Sequence, residues 1–91
     1  MYPSERQWQL FERYQHCPPP MHPRAFLSRW ELDYPDLARL LGVSRHSVAH
    51  WLSGNQREPS AHYCRRLATI DFLWTNHARL PKALLDEWCG F

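Results

Sequence analysis

Strand-forming residues are scarce in this chain of 91 amino acids. Valine occurs only at 43 and 48 and isoleucine only at 70, and no alternating apolar–polar run is present, so a β-sheet is excluded. Cysteine is also sparse, at 17, 64 and 89. An odd number of thiols, behind an opening MYPSERQWQL without an apolar leader, argues against a secreted disulfide scaffold and for a reducing, cytoplasmic setting. No stretch approaches the roughly 18 apolar residues of a membrane span, so no membrane partner is expected. Charge of one sign is lacking too: the formal net charge is +2, which excludes a polybasic nucleic-acid coat. At 11.0 kDa there is no room for a cofactor domain beside a substrate domain, and neither catalysis nor a cofactor is expected.

What is present is apolar mass. The chain is 44% hydrophobic and 14% aromatic, enough for one compact core. Its eight prolines cluster as joints between helices. The expected fold is therefore all-α, a bundle of about five or six helices. Ser4 and Gln7 have capping-box spacing and open a helix reaching about His16, with Trp8, Leu10, Phe11 and Tyr14 as a broad apolar stripe. Cys17-Pro18-Pro19-Pro20 stops it and forms a stiff spacer. Pro23 suits the first turn of a second helix whose Phe26, Leu27 and Trp30 share a face.

The centre of the chain is the most legible. Asp33 reads as an N-cap, Pro35 sits in the first turn, and Leu32 with Leu37 forms a hydrophobic staple. Leu37, Leu40 and Leu41 bury one side, and Gly42 ends the helix where a positive φ is needed. Ser44 caps the next helix, Val43 and Val48 form a second staple, and Val48, Trp51 and Leu52 face inward until Gly54. After a loop from Asn55 to Pro59, Ser60 opens a longer helix over about 61–76 with Tyr63, Leu67, Ile70 and Trp74 at helical spacing. Pro81 begins a short last helix with Leu84, Leu85 and Trp88. Two short helices joined by a glycine turn, with small Ala38 allowing close approach, have the pattern of a helix-turn-helix.

The run Leu37-Ala38-Arg39-Leu40-Leu41-Gly42-Val43-Ser44, with Val48, Trp51 and Gly54 following and then Arg57-Glu58-Pro59-Ser60, resembles the phage-repressor and Cro-like (XRE-type) helix-turn-helix family. The resemblance covers roughly residues 24–74 and implies a lambda-repressor-like bundle that binds double-stranded DNA as a small transcriptional regulator. It divides the chain into an N-terminal helix and spacer (1–23), a DNA-binding domain (24–76) and a C-terminal short helix (77–91). It also implies that the second helix of the motif enters the major groove, with Ser44, Arg45, His46, Ala49, His50 and Ser53 as base-reading positions. Periodicity agrees in part, since inward Val48, Trp51 and Leu52 leave 45, 46, 49, 50 and 53 outward. Arg45 suits a guanine, the histidines can donate or accept, and Ala49 can meet a thymine methyl. The family places a polar residue, often Gln, at the start of the leading helix for phosphate contact. Here Tyr34-Pro35 stands there, and the Tyr34 hydroxyl is the candidate; Arg57 is a further one.

Between Gly42 and Ile70 lie four arginines against one glutamate, while the five arginines and five acids of residues 1–41 cancel. Positive charge therefore leans toward the motif, though modestly, which favours a homodimer presenting two reading helices about 34 Å apart. The expected dimer contacts are the aromatic flanking helices. As a class apart, a protein-interaction adaptor would use those same flanks on the same scaffold. Trp51 and Trp74 are expected in the core, and Trp8, Phe11 and Tyr14 to pack on the domain. His46 and His50 lie one turn apart but lack a third ligand nearby. His16, Cys17 and His22, or His62 with Cys64, match no zinc-finger spacing, so no metal is expected. Adjacent Asp86 and Glu87 point apart on a helix and have no nucleophile beside them.

Overall fold

The computed structural model describes residues 1–54 and 58–91, and the described residues form six helices and no strand. They are α1 (Glu5–Tyr14), α2 (Pro23–Arg29), α3 (Tyr34–Leu41), α4 (Arg45–Leu52), α5 (Ala61–Thr75) and α6 (Lys82–Cys89). The chain is all-α.

Local chemistry accounts for most boundaries. Ser4 and Gln7 form a reciprocal capping box, with the Gln7 N–H donating to Ser4 Oγ at 3.2 Å and the Ser4 N–H to Gln7 Oε1 at 2.8 Å. Asp33 and Asp36 do the same for α3. Gly42 ends α3 at φ 67°, ψ 33°, a left-handed conformation that side chains with a Cβ resist. Ser44 opens α4 by accepting the Ser47 N–H at 3.1 Å. α2 is capped differently: Pro23 is its first residue, and His22 Nδ1 accepts the Arg24 N–H at 3.0 Å. Ser60 precedes α5 without a side-chain cap bond.

The core lies among α2, α3, α4 and α5. Phe26, Leu37, Val48 and Leu67 are fully buried, with Leu41 and Ala38 beside them. α3 packs on α4 and α5, and α2 on α5 and α4. Ala38 is buried at the close approach of α3 to α4, and both staples contribute, with Leu32 and Val43 lying on the core's edge. A polar strap ties α2 to α5: Asp71 accepts from Trp30 Nε1 at 3.0 Å and from the Arg29 guanidinium at 3.2 Å. Its side chain is 13% exposed, so water competes little for these bonds.

The two flanking helices depart from the expectation of packing. α1 ends at Tyr14 and approaches none of the other helices, and it buries no residue. Trp8, Leu10, Phe11 and Tyr14 are 40%, 61%, 57% and 53% exposed. Its aromatic contacts are local, Trp8 meeting Phe11 edge-on at 6.3 Å. The reason lies in the apolar side chains of α1, which point to more than one side, and in the proline spacer, which carries the helix away from the core. The radius of gyration, 16.2 Å, records this extension; a compact chain of this length would have about 12 Å. α6 meets α5 only across an apolar groove of about 570 Å³ lined by Pro18, Phe72, Leu73, Leu80, Leu85 and Trp88. Trp74 is also further out than expected. It is 36% exposed, although its ring lies tilted against Phe26 at 5.9 Å and meets Trp30 edge-on at 5.1 Å. No described helix is long and apolar enough to cross a membrane.

Candidate nucleic-acid interface

Val48 is the pivot of α4. Its burial between α3 and the rest of the core fixes which way the helix faces, with Trp51 and Leu52 half-buried on the same side. Trp51 lies against Tyr63 of α5, ring centroids 5.5 Å apart. The opposite face therefore looks outward. Ser44, Arg45, His46 and Ser53 are exposed, while Ala49 and His50 are half-buried.

These residues are not equally available. The Ser44 hydroxyl is engaged as the α4 cap and lies 3.1 Å from Ser47 Oγ. The Ser53 hydroxyl donates to the His50 carbonyl at 3.3 Å. Arg45 has no hydrogen bond or ion pair among the described residues, so its guanidinium stands in solvent at the first turn of α4. His46 and His50 are brought together: their Nε2 atoms are 2.8 Å apart, and the rings meet edge-to-face at 4.3 Å. Tyr34, 43% exposed, is the first residue of α3. Arg57 lies outside the described residues.

Two arginines from neighbouring helices reach the ends of α3 and α4. Arg24 of α2 donates to the Leu52 carbonyl at 3.3 Å, and Arg66 of α5 donates to the Leu40 carbonyl at 3.2 Å. Each places a cation at the C-terminal end of a helix, where the macrodipole is negative and carbonyls lack intrahelical partners. Arg66 thus serves the scaffold. Arg24 was not singled out from the sequence, since only the packing of α2 on α4 brings it there. It borders an open groove of about 740 Å³ with His22, Ser28, Trp51, Gly54 and Glu58. His22 Nε2 and the Glu58 carboxylate are 3.4 Å apart in that groove.

Cys64 is half-buried at the start of α5, and burial, aided by the Glu58 charge, pushes its thiol pKa up. Its backbone carbonyl accepts the Met21 N–H at 3.0 Å, tying the end of the proline spacer to α5. No three His, Cys, Asp or Glu side chains among the described residues gather closely enough to share a metal ion. Comparison with protein-family models, curated proteins and solved structures finds no match to this chain.

Proposed function

We propose that the chain binds double-stranded DNA sequence-specifically, with α3 and α4 acting as a helix-turn-helix and α4 as the reading helix. The observation that carries this reading is the two-sidedness of α4. Val48 anchors one face in the core, while Arg45, His46, Ala49 and His50 share the other, led by an exposed arginine with no partner among the described residues. Such a set combines a bidentate donor for guanine, two adaptable imidazoles and a methyl, the chemistry of base-edge recognition. The resemblance of residues 24–74 to XRE-type regulators supports the same reading, and a small cytoplasmic transcriptional regulator is the role it fits. Binding, not catalysis, is the activity.

The weak positive bias of the motif favours two copies acting together. The uncovered aromatic faces of α1 and α6 supply a surface through which a homodimer would present two reading helices to a two-fold site. Selection from a random duplex oligonucleotide pool at several salt concentrations tests the proposal. Enrichment of a common site, with affinity falling as salt rises, is expected. Recovery of no common site at low salt would refute it. Sedimentation equilibrium showing only monomer at about 100 μM would remove the dimer, the concentration being far above the micromolar affinities of stable partners.

One observation favours a second reading. Trp8, Leu10 and Phe11 on α1, with Leu84 and Trp88 on α6, form more uncovered apolar surface than a DNA-binding domain needs. A protein-interaction adaptor would use these helices and leave the α4 face unoccupied. Loss of partner capture on deleting residues 1–16, with no selected DNA site, would decide for it.

A further inference from the structure

We propose that the chain dimerises by reciprocal exchange of α1, the helix of each copy seating in the apolar groove between α5 and α6 of the other. This inference rests on the proposed homodimer and names its contact; it does not depend on DNA. Trp8, Leu10, Phe11 and Tyr14 span about 160° of the circumference of α1. Glu5, Arg6, Glu12 and Arg13 lie outside that arc. So wide an apolar arc overflows a flat contact but suits the two walls of a groove, a recurring mode of helix recognition. The groove of about 570 Å³ has such walls, Phe72 and Leu73 on α5 and Leu85 and Trp88 on α6. Leu84, one turn before Trp88, extends the second wall and is 61% exposed.

The chain's own α1 does not fill this groove. Only Gln15 and His16 separate α1 from Cys17, and the Cys17 N–H donates to the Tyr14 carbonyl at 3.1 Å, closing the turn. The Met21 N–H bond to the Cys64 carbonyl then fastens the spacer to α5. α1 is thereby held off its own domain as an arm and approaches no other helix. At about 150–250 Å² for a large side chain, the exposed parts of the four arm residues with Phe72, Leu84 and Trp88 amount to about 800 Å² for one arm in one groove. One such contact falls short of the roughly 1,200–2,000 Å² of stable interfaces, whereas two reach about 1,600 Å². Exchange in both directions, as a two-fold axis supplies, is therefore required. Charge also favours a second copy. α1 carries two acids and two arginines, without the basic excess of a membrane-surface helix. The groove is flanked by exposed Arg65 and Glu87, an equally balanced pair.

The test uses three full-length chains: the parent, an arm variant (Trp8→Asp with Phe11→Asp) and a groove variant (Leu84→Asp with Trp88→Asp). All four side chains are 40–75% exposed and none belongs to the core, so circular dichroism should show both variants folded. Sedimentation equilibrium at about 100 μM should give a dimeric parent and two monomeric variants. The dissociation constant should rise by about a thousandfold or more, because each variant loses anchor side chains from both contacts. Mixing the variants leaves one contact intact, the arm of the groove variant in the groove of the arm variant. Amide resonances of residues 82–89 in isotope-labelled arm variant should then shift on adding groove variant, and stay in place on adding unlabelled arm variant. A dimer that survives in either variant would overturn the exchange while leaving the homodimer standing on another contact. Absence of a shift in the mixture would overturn it too, since an intact arm and an intact groove are both present. A parent that is monomeric at this concentration would remove exchange and homodimer together. If the α1 resonances of that monomer shifted with phosphatidylcholine vesicles, the apolar arc would belong to a lipid surface instead. No DNA enters these measurements, so the reading of α4 stands or falls on its own selection experiment.

Discussion

Replacing Gly42 separates backbone strain from steric clash. The residue ends α3 at φ 67°, and a Cβ built on it meets no atom within 4 Å. The cost of a side chain is therefore conformational alone. Holding an L-residue in the left-handed region costs about 1–2 kcal/mol. The variant also restricts the unfolded chain, which returns about 0.4–1 kcal/mol for Gly→Ala. Gly42→Ala should thus lose roughly 0.5–1.5 kcal/mol net, equivalent to about 4–8 °C in Tm for each kcal/mol in a chain of this size. Gly42→Val should lose more, about 2 kcal/mol, because β-branching adds crowding beside the carbonyl. Gly42→Asn should lose least, since asparagine visits this region by bonding locally. Urea denaturation followed by helical circular dichroism gives all three values. A parent-like midpoint for Gly42→Val would mean that residue 42 is not left-handed. A loss beyond about 4 kcal/mol in Gly42→Ala would mean that the space around it is closed, well outside the strain scale used here.

Leu37→Ala should destabilise by about 2–5 kcal/mol, because Leu37 is completely buried where α3 faces α4 and α5; thermal denaturation reads this, and a loss below 1 kcal/mol would contradict the core assignment. Trp51→Ala should cost about 3 kcal/mol, at the lower end of the range for large aromatics, because the ring is only half-buried against Tyr63. On a selected DNA site, Arg45→Ala should lose about 1–3 kcal/mol of affinity and relax one base position, and His50→Ala a neighbouring one. Parent-like binding by both would mean that the reading face is misassigned. For the thiols, alkylation near pH 8 should modify exposed Cys17 and Cys89 before Cys64, whose raised pKa and partial burial leave less thiolate. Above the ordinary thiol pKa, the unfolded chain gives up this proton more readily than the folded one. The Cys64 contribution to stability is thus complete at neutral pH and declines as pH rises past about 9. A Cys64→Ser variant with a flatter alkaline stability profile is the check.

Caps and turns were legible because they are local. Ser4 with Gln7, Asp33 before Pro35, Gly42 and Ser44 each act within four residues, and the sequence carries their whole argument. The inward set of α4 was legible for a similar reason, since burying Val48 dictates the rest of the helix. His22 as a cap was not, because imidazole is no common capping group and works here only through the short reach of Nδ1 to the next turn. The Asp71 strap was equally hidden, as its partners Trp30 and Arg29 lie some forty positions away. The apolar stripe of α1 marked a helix but carried no information on which surface, if any, would receive it. The engagement of the Ser44 and Ser53 hydroxyls by backbone groups narrows the proposed reading set in a way that residue type alone could not.

The solitary state of α1 has a kinetic consequence. A helix of 10 residues falls short of the roughly 12–15 at which isolated helices become even marginal in water. Its capping box and Trp8–Phe11 contact delay fraying, but no core contact couples it to the other five helices. Amide hydrogens of α1 should therefore exchange with deuterium on a fast clock, set by local opening. Those around Leu37, Val48 and Leu67 should wait for global unfolding. The two clocks are independent until something covers Trp8 and Phe11. Any molecule that does so must first supply the order that α1 lacks, and its occupancy can be read from the slowing of these few amides alone.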